Sequence, residues 1–257
     1  MLVNEVDYPF STSLLCYTLL TGCPFYKAIK RRQIALLARA QELRFWSHAV
    51  CYLTLTERLF GMILGTKTGE QVTQLIGDRR SHPRLEEPAP DLEVLESIFS
   101  ASLRAPDHMH LRPWRFLTIS GDDRKNLGEL FVDHCKDSNP SAEQKEVDGA
   151  YAKAFRAPLI VIGIAAYKSH PKVPDIEQAI AAGGVMNNIG LAAYAHGFGS
   201  VWRTGAYSAS QVIKLGLGLI KSEEIIGFLY VGTPANRDRH VRPLAADDFF
   251  SVWPNNG

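Results

Sequence analysis

The sequence predicts a layered domain of helices packed on a central sheet, of the α+β or α/β class. Three observations predict it. Two apolar runs, Leu159-Ile160-Val161-Ile162-Gly163-Ile164 and Ile225-Ile226-Gly227-Phe228-Leu229-Tyr230-Val231, suit strands buried on both faces. Helical patterns with start and stop residues stand before and between these runs. The chain has 257 residues, 46% of them hydrophobic and 21% charged, which is ordinary for a globular protein large enough to bury a sizeable core.

The first sixty or so residues differ from the rest. They are rich in Leu, Cys and Tyr and carry basic residues at Lys27, Lys30, Arg31 and Arg32. The pattern over residues 34–45 fits a helix, and no chemistry stands out in this segment. Residues 1–61 therefore read as an extension of unknown role, or as sequence upstream of a true start at Met62, the reading favoured. Residues 62–257 read as the domain proper.

From Met62 the order becomes regular. Residues 70–77 place Val72, Leu75 and Ile76 on one helical face. A proline-rich loop follows over 81–90. Asp91 is a candidate N-cap for a helix through Leu103, with Leu92, Leu95, Phe99 and Leu103 as its apolar face. A strand is expected from Trp114 to Ile119, then a helix from Asp122 carrying Leu127, Leu130 and Phe131. A further helix leads to Ala157-Pro158 and the first apolar run. The longest helical pattern opens at Pro174-Asp175 and runs to about His196. Its adjacent glycines, Gly183 and Gly184, cost roughly 1–2 kcal/mol relative to alanine, which makes sense where a neighbour approaches closely. That neighbour is either the domain's own core or a second subunit. Ser200-Val201-Trp202 begins a short strand, Ser208 or Ser210 caps a short helix, and Gly232-Thr233-Pro234 is expected to stop the last strand.

Composition excludes several classes. A net charge of +1 gives no reason to expect nucleic acid or a membrane surface as the main partner. The four cysteines, Cys16, Cys23, Cys51 and Cys135, show no metal-ligand spacing, so a reducing, cytoplasmic setting is expected. The apolar stretch over 14–20 is too short to span a bilayer, which needs about 20 residues. No HExxH, GxSxG or Walker loop is present, and Gly197-x-Gly199 and Gly216-x-Gly218 lack the third glycine of a dinucleotide fingerprint. His108 and His110 lack a third ligand nearby in sequence, so no metal is expected.

Four stretches carry the chemical signal: Arg79-Arg80-Ser81, Ala105-Pro106-Asp107-His108, Arg112-Pro113-Trp114 and Trp202-Arg203-Thr204-Gly205. Arginine offers a planar fork of donors and a hydroxyl adds a short one, so both suit a phosphate. Together they read as a nucleotide-cofactor site assembled from distant parts of one domain. Singly they read as surface arginines in loops. Arg104 on its own suits a helix C-terminus, and Trp114 suits the core.

With Asp78-Arg79-Arg80-Ser81, Leu103-Arg104-Ala105-Pro106-Asp107-His108, Pro113-Trp114-Arg115-Phe116, Phe155-Arg156-Ala157-Pro158, the stretch Gly197 to Gly205 and the stretch Gly227 to Pro234 in this order, the chain resembles the FMN-dependent nitroreductase family, in its compact bacterial branch. The resemblance spans about Gly69 to Pro234. It implies an α+β nitroreductase-like fold, a central mixed sheet flanked by helices, with FMN at a homodimer interface. It assigns FMN contacts to Arg79, Arg80 and Ser81, to Arg104 and His108 from the other subunit, and to Trp202, Arg203 and Thr204. Tyr194, Ala195, His196 and Gly197 are a candidate wall for the nicotinamide of NADH or NADPH. The implied reaction passes a hydride from NAD(P)H through the flavin to a nitroaromatic, a quinone or a related small acceptor. The flavin carries the chemistry and no protein nucleophile is needed. A flavin-binding or sensor protein without efficient turnover, or a reduced-flavin enzyme such as a dehalogenase, are the alternatives. Three positions depart from the family pattern: Pro83, Asp107 and Arg112.

Overall fold

The computed structural model describes residues 68–236 and 244–253. The expected helix over 34–45 and the boundary at Met62 lie outside the described residues. The chain divides into two units after Gln71, and the fold below is that of the second.

Residues 68–78 form a helix, α1. There follow β1 (Leu85–Glu86), α2 (Leu92–Ser102), β2 (Trp114–Ser120), α3 (Asp123–Ser138), α4 (Gln144–Tyr151), β3 (Leu159–Ala166), α5 (Asp175–Ala195), β4 (Gly199–Arg203), α6 (Ala206–Ala209), α7 (Gln211–Gly216) and β5 (Glu223–Pro234). β3 lies between β2 and β5, and the far edge of β5 is shared by β4 and then β1. These ladders are all antiparallel, where a mixed sheet was expected. The parallel element is a single bridge between Ser81 and Ser200.

β3 is buried along almost its whole length because helices cover both faces of the sheet. Its alternate residues divide between two cores. Ile160, Ile162 and Ile164 meet Leu127 and Phe131 of α3 and Ile213 of α7. Leu159 and Val161 meet Ile98 of α2 and Val185, Met186 and Ile189 of α5. Near the start of β2, Arg115 forms a two-pronged bond with Glu223 of β5, Nε to Oε1 at 2.6 Å and Nη2 to Oε2 at 2.8 Å. Those bonds hold the Glu223 carboxyl below the usual carboxylate range.

Asp91 caps α2 through its side chain, which accepts from the Val94 amide at 2.9 Å. Of the expected apolar face of that helix, Leu95 and Phe99 pack against the core, whereas Leu92 and Leu103 do not. Leu92 is 86% exposed, and the residues turned fully inward are Ile98 and Ser102. Ser102 is tolerated there because its hydroxyl donates to the Ile98 carbonyl at 2.6 Å. Ser210, of the two serines considered, caps α7. β5 does not stop at Gly232 but continues to Pro234, which pairs with Leu85 at the sheet edge, where proline is accepted.

The glycine pair of α5 serves packing within the chain. A Cβ on Gly184 would stand 3.3 Å from the Cβ of Ala105, and one on Gly183 would stand 3.7 Å from the Trp202 ring. Gln178, on the same helix, is 1% exposed. Its amide accepts from the Lys168 amide at 2.9 Å and donates to the carbonyls of Lys168 and Val173 at 2.9 and 3.1 Å. It ties the loop before α5 to the helix, so the burial of its polar atoms is compensated.

Candidate functional site

α1 delivers the first arginine segment to the sheet edge. The Arg79 amide donates to the Leu75 carbonyl at 3.1 Å, closing the helix, and the chain then straightens. The His82 amide donates to the Ser200 carbonyl at 2.9 Å beside the Ser81–Ser200 bridge. Arg79-Arg80-Ser81 is thereby laid against the start of β4, and Trp202-Arg203-Thr204 closes the end of the same strand. From Ser200 to Arg203 the distance is about 10 Å, at roughly 3.3 Å per residue.

Alternation along β4 sorts these side chains. Trp202 pairs with Leu229, which belongs to the α5 side, and Arg203 pairs with Phe228, which belongs to the α3 side. The Trp202 indole crosses the end of β5, donating from Nε1 to the Ile226 carbonyl at 3.2 Å. Ser200 shares its side, since a Cβ on Gly190 of α5 would lie 3.3 Å from the Ser200 hydroxyl. The parallel bridge aligns Ser81 with Ser200. Ser81, Ser200 and Trp202 thus face one way and Arg203 the other. Arg80 and Arg203 each hold a buried Nε without a hydrogen-bond partner.

The loop between α2 and β2 is built under strain. Met109, His110 and Arg112 have φ of 59°, 53° and 50°, a left-handed region that non-glycine residues seldom occupy. Asp107 holds this shape. Its side chain is 3% exposed and accepts from the Arg112 amide at 2.8 Å and from Arg112 Nη1 at 3.3 Å. Two of the three positions that depart from the family pattern, Asp107 and Arg112, are therefore partners in one clasp. His108 Nδ1 lies 2.9 Å from Glu177 Oε2 at the start of α5, and Lys168 Nζ donates to the Leu111 carbonyl. Arg104 is exposed just past the end of α2. Ala105 and Trp202 rest on the adjacent Gly184 and Gly183, so the loop and the β4 terminus share one stretch of α5. Among the described residues no group of three or more His, Cys, Asp or Glu is arranged to hold a metal ion.

Tyr194, Ala195, His196 and Gly197 form the end of α5. Gly197 has φ of 84°, its amide donates to the Tyr194 carbonyl at 3.0 Å, and the Phe198 amide donates to the Ala193 carbonyl at 2.9 Å, a glycine-terminated helix cap. The Tyr194 ring stacks near His82, with centroids 6.4 Å apart. This turn stands beside the Arg79 segment, at the opposite end of β4 from Trp202.

Sequence reasoning missed three features of this region. The Asp107–Arg112 clasp depends on left-handed backbone at residues that carry no mark of it. Gly227, φ 150°, leaves room for the Trp202 indole, since a Cβ there would lie 2.0 Å from Nε1. Gln178, just after Asp175 and Glu177 at the start of its helix, carries no mark of its burial in the sequence.

A sequence model of the nitroreductase family matches residues 76–233, well over half of the chain. The chain belongs to the nitroreductase family. It is 39% identical over 161 residues to the Escherichia coli K12 protein named "Putative NAD(P)H nitroreductase YdjA", covering 63% of this chain and 87% of that protein. Among solved structures, a nitroreductase-like family protein from Bacillus cereus superposes with a TM-score of 0.62 at 20% identity, over 70% of this chain and 95% of that one. A Desulfovibrio desulfuricans structure titled as a nitroreductase in complex with FMN superposes with a TM-score of 0.55 at 23% identity, over 70% and 96%. At these identities the structural likeness speaks for the fold, which is the α+β nitroreductase-like fold.

Proposed function

We propose that the protein is an FMN-dependent oxidoreductase that uses NADH or NADPH to reduce a nitroaromatic, a quinone or a related small acceptor. The observation that carries this reading is the Ser81–Ser200 bridge, which sets the arginine–hydroxyl segment and the Trp202 end of β4 along one sheet edge. Family membership, the name of the E. coli relative and the FMN in the D. desulfuricans structure support it.

The residues fit such a cofactor. Arg79 and Ser81 supply a cationic fork and a hydroxyl for its phosphate, with Arg80 beside them. Trp202 and Thr204 border its ring system, and the Gly183 approach fixes the indole in place. When bound, FMN supplies the hydride-accepting and hydride-donating chemistry. The protein's part is to orient the ring, exclude water and present cations where negative charge accumulates. Arg104, just past the end of α2, suits that last task from a second subunit, and His108 is a further contact from the same loop. The end of α5 from Tyr194 to Gly197, which caps the helix, is the candidate wall for the nicotinamide in the same proposal.

A homodimer belongs to the same proposal. Ile176 and Ile180, one turn apart on α5, are 66% and 67% exposed in the single chain, an apolar surface that a second copy would cover. Obligate dimers bury large apolar faces of this kind. A cytoplasmic setting is proposed with it. Among the described residues no helix is long and apolar enough to cross a membrane.

The test is direct. Purified protein is expected to be yellow, or to take up added FMN, and to bleach with NADH or NADPH under anaerobic conditions. Colour without bleaching would favour a flavin-binding protein lacking turnover. Absence of both colour and FMN uptake would sink the proposal.

A further inference from the structure

The turn that carries His108 is held largely by one turn of α5. Met109, His110 and Arg112 have φ of 59°, 53° and 50°, so the loop would relax if nothing opposed it. Asp107 opposes it from within, through the Arg112 amide. Two neighbouring residues of α5 oppose it from the helix. Glu177 Oε2 lies 2.9 Å from His108 Nδ1. Gln178 accepts from the Lys168 amide and donates to the Lys168 carbonyl, each at 2.9 Å, and the Lys168 ammonium donates to the Leu111 carbonyl. The turn from His108 to Leu111 is thus tied at both ends to Glu177-Gln178.

The Glu177 bond does more than anchor the chain. An ionised carboxylate only accepts, so Nδ1 of His108 carries a proton and Nε2 is the nitrogen left for another partner. In the single chain the two side chains are 52% and 46% exposed, and so open a pair holds little. A dimer changes that setting. Glu177 stands beside Ile176 and Ile180, which are 66% and 67% exposed, and Met109, next to His108, is 53% exposed. A second copy laid on these apolar side chains takes the pair out of water, where a charge-assisted bond counts for more.

We propose that Glu177 is a positioning residue of the flavin site: through Nδ1 it sets the tautomer and ring orientation of His108, so that Nε2 is the atom offered to the FMN held by a second copy. The proposal rests on reading His108 as a flavin contact across the dimer, and adds a residue that itself touches no cofactor. Asp175 gives the contrast. It stands in the same first turn of α5, and no hydrogen bond or ion pair joins it to the loop.

The experiment measures the FMN dissociation constant of the purified full chain and of His108→Ala, Glu177→Ala, Glu177→Gln, Asp175→Ala and the combination of His108→Ala with Glu177→Ala. Ring-nitrogen NMR of His108 in the FMN-loaded protein accompanies it. His108→Ala and Glu177→Ala should each weaken FMN roughly threefold to tenfold, the effect of one hydrogen bond. The combined variant should be no weaker than His108→Ala alone, because Glu177 acts only through that ring. Glu177→Gln, whose amide oxygen still accepts from Nδ1, should restore most of the affinity, and Asp175→Ala should leave it unchanged. His108 should hold its proton on Nδ1 in the unaltered protein and lose that preference in Glu177→Ala. Losses that add in the combined variant, FMN affinity undiminished in Glu177→Ala, or no rescue by Glu177→Gln would overturn the proposal. Undiminished affinity in His108→Ala would overturn it while leaving the oxidoreductase reading intact. A protein that takes up no FMN would overturn that reading, and this one with it.

Discussion

Replacing Gly227 by alanine should unseat Trp202. A Cβ at this position would stand 2.0 Å from the indole Nε1, 2.6 Å from Cδ1 and 2.9 Å from the Arg203 carbonyl oxygen. The first two atoms belong to a rigid ring already pinned to the Ile226 carbonyl at 3.2 Å. The third is backbone in a paired strand. The ring must therefore swing out, and the backbone must leave a φ of 150° that L side chains rarely adopt. Overpacking costs about 1–3 kcal/mol, and the lost indole hydrogen bond about 0.5–1.5 kcal/mol more. A total of about 2–4 kcal/mol corresponds to a fall in Tm of roughly 5–15 °C for a domain of this size. Because Trp202 borders the proposed ring site, FMN retention should fall with it. The control is Gly149→Ala in α4, where a Cβ meets nothing within 4 Å. That change should be neutral or stabilising by about 0.5–1 kcal/mol. Calorimetric melting and flavin content of both variants provide the assay. A Gly227→Ala protein that melts with the unaltered chain and keeps its flavin would refute the reasoning.

Four further outcomes are expected. Gln178→Leu should lower stability by about 3 kcal/mol in a denaturant titration, since it orphans the Lys168 amide and two carbonyls in a buried place. Asp107→Ala should release the loop, seen as faster hydrogen exchange at the Arg112 amide with little change in global melting. For Glu223 the folded value lies below the ordinary 4.5, so its stabilising contribution is complete above that value and fades as pH falls through the lowered one. Glu223→Gln should therefore lower stability at neutral pH and flatten the decline on acidification, as measured by Tm between pH 3 and 7. A chain beginning at Met62 should fold, dimerise and bind FMN as the full chain does. An insoluble or flavin-free product, beside a sound full-length protein, would show that the preceding residues are structural.

The sheet and its caps could be read from the sequence where one local force dominates. β3 was plain because burial on both faces demands an unbroken apolar run, and Asp91 was plain because a cap acts over three residues. The inward face of α2 was read in part: Leu95 and Phe99 pack against the core, whereas Leu92 and Leu103, at the two ends of the helix, are exposed. Trp202 and Arg203 alternate along β4, pairing with Leu229 and Phe228, yet both line a cavity at the end of that strand. The Asp107–Arg112 clasp could not be read at all, because it rests on backbone conformations that nothing in the residue types requires. Gly183 and Gly184 did signal close approach, but which neighbour approached was a question for the fold.

The central claim is that Arg79 and Ser81, laid against β4, hold the phosphate end of FMN. It is tested most directly by the FMN dissociation constant of Arg79→Met compared with the unaltered protein, with Lys136→Met on the exposed side of α3 as a control. The account predicts that Arg79→Met weakens FMN roughly tenfold to a hundredfold, from the loss of one charge-assisted hydrogen bond, while Lys136→Met leaves it unchanged. Unchanged FMN affinity in a folded Arg79→Met protein would contradict the account.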